Sequence, residues 1–252
     1  MPATLLRAAG NIVCMSNQDS EEQEIIRSWH SNAAPWARAI RAASIASRKY
    51  VTNQAIIDAV VSISCTQILD IGCGEGWLAR ALSDHGMSVT GIDVVPELIA
   101  HAAATRGAGA AGSVAFYVQD YASIANRQWR GGPFDAAVCN FSLLGRKSVD
   151  SLIAALPGYL NDPGYLIIQT LHPVAACGAQ TYQDGWRDGT WLGFSSDFQD
   201  PAPWYFRTLE TWSALLQLCG FEILECLEPK AAGAVTPASV IWIGRKRRSA
   251  QT

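Results

Sequence analysis

The chain is expected to be an α/β protein: a mostly parallel sheet between two helical layers, preceded by an N-terminal helical cap. Three observations predict this. From about residue 65 onward, short apolar runs alternate with helical patterns, the signature of strands joined by crossover helices. The first of those runs ends in a glycine loop that opens a helix, "ILDIGCGEGWLAR" over residues 68–80. Residues 20–63 carry helical patterns with no strand among them. With 252 residues, 49% of them hydrophobic and 16% charged, a packed core is expected and disorder is not.

In chain order, "SEEQEIIRSWH" (20–30) follows Ser20 with acids in its first turn, a favoured helix start. Residues 35–48 and 52–63 also read as helices, giving a cap over 20–64 after an extension, read as disordered, over 1–19. "QILDI" is the first strand, 75–85 a helix ended by Gly86, and "SVTGID" the second strand. Pro96 and Glu97 begin a helix over 96–106, both favoured in a first turn. "SVAFYV" and "FDAAVCN" are the next strands; a helix over 148–160, the turn signal "NDPG" and the strand "YLIIQT" follow. A helix from Thr208 to Cys219 stops at Gly220, and "FEILECLE" and "SVIWIGR" close the fold. The body of the fold is thus residues 65–252, with an insertion at 171–207.

Composition removes several classes of function. A net charge of −3 disfavours nucleic acid as a main partner, and "RKRR" at 245–248 reads as a solvated tail. Seven cysteines, none spaced CxxC, fit small buried hydrophobes in a reducing, cytoplasmic setting. Four histidines without metal-ligand spacing give no support for a metal site. No apolar run reaches the ~18 residues that a membrane span needs.

In a sheet of this kind, ligands sit at the carboxyl ends of the strands. There the sequence places Asp70 and the loop Gly72, Cys73, Gly74 and Gly76, then Asp93, Asp120, Asn140 and His172. Acidic and amide groups suit ribose hydroxyls, an adenine amine and a cationic amino group better than a diphosphate. A dinucleotide site would also need GxGxxG; here the spacing is GxGxG, and Trp77 stands where the last glycine should be.

"LDIGCGEG" resembles the first motif of class I S-adenosylmethionine-dependent methyltransferases, an acid followed by GxGxG. The similarity continues in order through "GIDVVPELIAHA", "VQDY", "FDAAVCNFSLL", "LNDPGYLIIQTLHP" and "WSALLQLCGFEI", covering roughly residues 25–245. The chain is most similar to the small-molecule type related to ubiquinone and menaquinone biosynthesis methyltransferases. The resemblance implies a Rossmann-like sandwich with a seven-stranded sheet, its last strand antiparallel. It also implies S-adenosylmethionine as the cofactor. Asp70 and the glycine loop would face the cofactor's methionine end, and Asp93 its ribose hydroxyls. Asp120, beside Tyr121, would meet the adenine amine, with Val94 as a wall, and Asn140 would open the active-site side. Asp93 could cap the helix after it, in place of the ribose role or together with it, and Asp120 could be an ordinary strand-end acid.

Methyl transfer is a direct displacement that gains from proximity and exclusion of water, and needs a base only where the nucleophile must shed a proton. His172 is the one histidine expected at the correct mouth; a structural histidine before a proline turn is the alternative. Residues 171–207 are rich in aromatics and lack a regular period, which suggests a lid over a small-molecule acceptor. Trp204, Tyr205 and Arg207 are expected to line that pocket, with Arg207 gripping an anionic group through a two-pronged contact. Alternatively Arg207 pairs with an acid on the cap and only fastens the lid. A catalytically silent cofactor-binding scaffold and an RNA or protein methyltransferase are the competing functional readings. The chain is expected to be a monomer or homodimer.

Overall fold

The computed structural model describes residues 17–105 and 111–248; Cys14 and residues 1–16 of the expected extension lie outside them. A seven-stranded sheet carries β1 (Gln67–Ile71), β2 (Ser88–Asp93), β3 (Ser113–Val118), β4 (Phe134–Asn140), β5 (Leu160–Leu171), β8 (Phe221–Leu227) and β9 (Ser239–Lys246), and a separate hairpin carries β6 (Gly185–Arg187) and β7 (Trp204–Phe206). The large sheet runs in the order β3-β2-β1-β4-β5-β9-β8, with only β9 antiparallel to its neighbours. Both halves of the order grow outward from β1 and β4, whose adjacent ends form the switch point where such sheets bind ligands.

Strand alternation splits the core between the two faces. Leu69, Ile71, Ala137, Cys139, Leu166 and Ile168 pack with α6 (Lys147–Ala155) and α8 (Leu209–Leu218). Ile68, Ala136, Val138 and Ile167 point the other way, onto α2 (Asn53–Val61) and α3 (Trp77–Asp84). Asp70 stands at a position of this second face, where its neighbours in sequence dictate an apolar side chain; it is 1% exposed.

Three local expectations are corrected. The separate helices expected at 20–30 and 35–48 are one helix, α1 (Asn17–Arg41), with Pro35 inside it. Proline there deprives the carbonyl of Ser31 of a partner, but Ser31 is exposed and water can serve it. Past it, a π-helical turn at Arg48–Thr52 leads into α2. "NDPG" does not turn the chain before a strand: residues 161–164 bulge within β5 while the register steps from Phe134–Leu160 to Ala136–Tyr165. The insertion is not structureless; it holds α7 (Pro173–Cys177) and the β6–β7 hairpin.

The cap is clamped in two places. Residues Val95 and Leu98, at and within α4 (Pro96–Ala104), bury Ala33 with Trp29 and Trp36 of α1 alongside. Glu22 reaches α6 at its opposite end, where its carboxylate accepts from the amides of Arg146 and Ser148 at 2.9 and 3.3 Å and from the Ser148 hydroxyl at 2.5 Å. No side chain of α6's own N-cap bonds its amides, so the cap helix supplies the missing acceptor.

Candidate active site

The carboxyl ends of β1 and β2 are joined by the glycine loop. Gly72, Gly74 and Gly76 take φ of +70, +58 and +82°, a region that penalises any residue with a Cβ. They serve different ends. A Cβ on Gly76 would lie 2.6 Å from the Phe116 ring, and one on Gly72 would lie 2.4 Å from Cβ of Ser142. At Gly74 it would meet only Trp36 Nε1, at 3.5 Å, because that stretch of backbone faces open space. Asp93 positions it: Oδ2 accepts from the Gly74 amide and Oδ1 from the Val95 amide, both at 2.9 Å. Val95, not Asp93, is the N-cap of α4, so the capping alternative is not what the carboxylate does. Two amides leave about two further lone-pair positions on it for a ligand.

The space above the loop is a cleft lined by Gly72, Cys73, Gly74, Asp93, Val94, Asp120, Tyr121 and Asn140, eight of the ten residues read as cofactor contacts. Gly76 and Asp70 are not on its wall. Asp120 doubles as the N-cap of α5 (Tyr121–Ala125), accepting from the Ser123 amide at 2.8 Å. The Tyr121 hydroxyl donates to the Ser142 carbonyl at 3.0 Å, and burial pushes its phenol far up. Asn140 keeps a buried side-chain oxygen without a partner.

Arg48 is the residue that the sequence reading missed. It comes from the π-helical turn, its guanidinium lying 5.5 Å from the Trp36 ring centre and 5.0 Å from that of Trp77. It is 8% exposed, and both Nε and Nη2 are buried without a partner. Burial lowers its pKa to about 10, against the attraction of Glu75 and Asp70, so it stays a cation at neutral pH. Behind the loop, Asp70 is pushed up to about 7 by burial first and by the nearby Asp93 second, with Arg48 pulling the other way. A buried cation with a free donor edge and no bonded anion is an unsatisfied arrangement that a carboxylate ligand would complete.

A second, larger compartment of about 720 Å³ adjoins the first and shares Trp29, Trp36, Arg48, Phe141 and Leu144 with it. Its roof is the insertion. Trp29 and Trp191 meet edge to face with ring centres 6.0 Å apart, and Trp191 packs on Phe198 at 4.8 Å. Asn32 ties cap to insertion, its Oδ1 accepting from the Gln199 amide at 2.9 Å and its Nδ2 donating to the same residue's carbonyl at 2.7 Å.

Trp204, Tyr205 and Arg207 line this compartment, but Arg207 is not free to grip a ligand as expected. Its guanidinium donates to the carbonyls of Gly145 and Arg146, both at 3.0 Å, and to Asp150 Oδ1 at 2.8 Å. The fastening alternative describes it better, with the acid on α6 and not on the cap. His172 does not line either compartment. It is 4% exposed and turned toward Glu228 beyond β8, with Nε2 at 3.0 Å from the carboxylate, so its expected place at the reaction mouth is corrected. Among the described residues no group of three His, Cys, Asp or Glu side chains could hold a metal ion, and no helix is long and apolar enough to cross a membrane.

The methyltransferase-domain family matches residues 20–226. The chain belongs to that family. It is 34% identical over 116 residues to a ubiquinone biosynthesis O-methyltransferase of Xylella fastidiosa (strain M23), covering 46% of each chain. Identity is 31% over 123 residues to the protein of the same name from Xanthomonas oryzae, covering 49% of this chain and 50% of that one. The chain thus spans about half the length of the curated relatives it matches. Among solved structures it is similar in fold to the 1,6-didemethyltoxoflavin-N1-methyltransferase of Burkholderia thailandensis, at a TM-score of 0.62 and 15% identity over 98% of this chain and 94% of that one. An S-adenosylmethionine-dependent methyltransferase from Mesorhizobium loti shares the fold at a TM-score of 0.55 and 21% identity, covering 76% and 96% of the two chains. The methyltransferase domain's match begins inside α1 and ends in β8, so it takes in the cap as well as the sheet.

Proposed function

We propose that the chain transfers a methyl group from S-adenosylmethionine to a small-molecule acceptor by direct displacement. The observation that carries this is the free, buried Nε–Nη2 edge of Arg48 above a glycine loop whose Gly74 backbone is open to the cleft. In this reading that edge holds the cofactor's carboxylate, and the loop backbone lies against its methionine end. Asp93 takes the ribose hydroxyls through its remaining lone pairs, Asp120 with Tyr121 and Val94 takes the adenine, and Asn140 offers its unpaired oxygen near the junction of the compartments. Asp70 acts from behind the loop, its buried charge attracting the Arg48 guanidinium.

When bound, the cofactor supplies a methyl group activated on a sulfonium sulfur. The chain's own part is to bind, orient and exclude water, which is where much of the acceleration of a displacement arises. Trp36 and Arg48 stand on the walls of both compartments and so face the line along which the two reactants would meet. The aromatic roof lies over that line. A cytoplasmic setting is supported by the described cysteines, all of them free.

Calorimetric titration of the full chain with S-adenosylmethionine, S-adenosylhomocysteine and NAD tests the reading. Binding of the first two and none of the third is the expected outcome. Binding of NAD with no response to the methyl donor would overturn it.

A further inference from the structure

Titratable chemistry separates the two compartments. The cofactor side carries Asp93, Asp120 and Glu22 on its wall. On the wall of the second compartment, among the described residues, the charged side chains are Arg48 and Arg207, and the remaining acid–base group of note is the Tyr205 phenol. No carboxylate, imidazole or amine faces it. Asp188, Asp200 and Glu21 on the surrounding elements are not on that wall, the first two being exposed, and the nearer acids and imidazoles are engaged elsewhere. Glu22 holds α6, Asp150 holds Arg207, Asp184 accepts from the Thr208 amide, His172 pairs with Glu228, and His30 stands 3.6 Å from Glu97. Tyr205 has its ring between two guanidinium groups, Arg146 at 5.3 Å and Arg207 at 4.8 Å, a setting that offers no acceptor for a proton.

The rest of the wall is flat and aromatic, with Trp29, Trp36, Phe141, Trp191, Phe194 and Trp204. At about 720 Å³ the space accommodates two or three fused rings. One polar feature interrupts it. Thr52, 2% exposed, presents a buried hydroxyl with no partner, a hydrogen-bond donor on the wall, in the same π-helical turn as Arg48.

We infer that the acceptor is a planar aromatic acid, methylated on the oxygen that bears its charge: a carboxylic acid, or a phenol or enol acidic enough to be ionised before it binds. This rests on the reading of the neighbouring compartment as the cofactor's. The acceptor oxygen brings its own electron pair, which forms the new bond to the methyl carbon while the pair of the carbon–sulfur bond returns to sulfur. The negative charge of the acceptor and the positive charge of the sulfonium cancel, no proton leaves, and the chain needs no base. A neutral alcohol would have to lose a proton, and the compartment holds nothing to receive it. The absence of carboxylates from the wall also spares an anion like-charge repulsion.

The test uses the full chain. Calorimetric titration in the presence of sinefungin, a non-transferring analogue with an ammonium group in place of the sulfonium, compares 2-naphthoate with its neutral isostere 2-naphthamide. Label transfer from S-adenosylmethionine is followed across pH 5–9 with a series of substituted nitrophenols of graded acidity. The acid is expected to bind at least ten-fold more tightly than the amide, and Thr52→Val to weaken it several-fold with S-adenosylhomocysteine affinity unchanged. The rise of kcat/KM with pH is expected to move with the acidity of each phenol. A rise at one pH whatever the phenol, or an amide that binds as tightly as the acid, would overturn the inference. So would binding of sinefungin without binding of any acid, which leaves the methyltransferase reading standing; failure of sinefungin and S-adenosylhomocysteine alike to bind would remove both.

Discussion

The floor and the roof of the cleft are built on opposite principles. The floor consists of strand ends: Gly72 to Gly74, Asp93, Asp120 and Asn140 leave four adjacent strands within one sheet, tied by bonds such as those of the Gly72 and Cys73 amides to the Ile92 carbonyl and of the Gln119 amide to the Asp93 carbonyl. The roof consists of α1, the π-helical turn and the insertion, whose parts meet through ring contacts, the amide clasp at Asn32, the Ser28 hydroxyl on the Asp200 carbonyl and the Arg38–Asp197 ion pair. A fan of guanidinium bonds at Arg207 fastens the insertion to α6 and the residues before it. In the floor, short-range chemistry decides where a group goes. In the roof, the position of every group depends on a partner far away in the chain.

The largest expected effect falls on the floor. Asp93→Ala removes a charged acceptor from both the ligand and the Gly74 amide, and S-adenosylmethionine affinity should fall by about 2–3 kcal/mol. Asp93→Asn, which keeps one accepting oxygen, should recover part of it. Calorimetry of both variants checks this, and equal affinity in Asp93→Ala and the parent chain would detach the floor from cofactor binding.

Arg48→Met sharpens the comparison, since Arg48 belongs to the roof by origin and to the floor by position. The bonds of a charged donor edge to a carboxylate are worth about 1.5–3 kcal/mol, so S-adenosylmethionine should bind at least ten-fold less tightly. 5′-Methylthioadenosine, which lacks the amino-acid part, should bind as before. An equal loss for both ligands would mean that Arg48 only props the cap against Trp36 and Trp77.

The smallest effect on binding is expected in the roof. Arg207→Lys keeps the charge but cannot span Gly145, Arg146 and Asp150 together. The melting temperature should drop by several degrees, from a loss of about 1–3 kcal/mol at a sensitivity of roughly 2–4 °C per kcal/mol, with cofactor affinity unchanged. An unchanged melting temperature with a raised acceptor KM would instead restore Arg207 as an acceptor contact.

The same contrast explains what could be read from the residues alone. The seven strands of the main sheet, the glycine loop and the strand-end acids announce themselves through period, spacing and turn chemistry, all of which act within a few residues. Arg48 gives no such signal: nothing in "ASRKYV" says that this arginine, and not its neighbour Lys49, is buried between two tryptophans, one from α1 and one from the start of α3. His172 stands at a strand end as expected, but which way an imidazole turns there depends on Glu228, 56 residues on. Pro35 misleads because a helix that is anchored on both sides tolerates the one unpaired carbonyl that would end an isolated one.

Ser142 has a consequence of another kind. Its hydroxyl donates to the Ile71 carbonyl at 2.7 Å, its carbonyl accepts from Tyr121, and its Cβ occupies the space that only a glycine at position 72 leaves open. Three segments are therefore pinned through one small residue, and a side chain added at Gly72 has no room beside it. Adaptation to a new acceptor has little freedom there. It has far more among the aromatic side chains of the insertion, where a ring can be exchanged without disturbing a shared joint. On the proposed function, the part of the chain that would choose what is methylated can drift under selection while the part that would hold the methyl donor stands still.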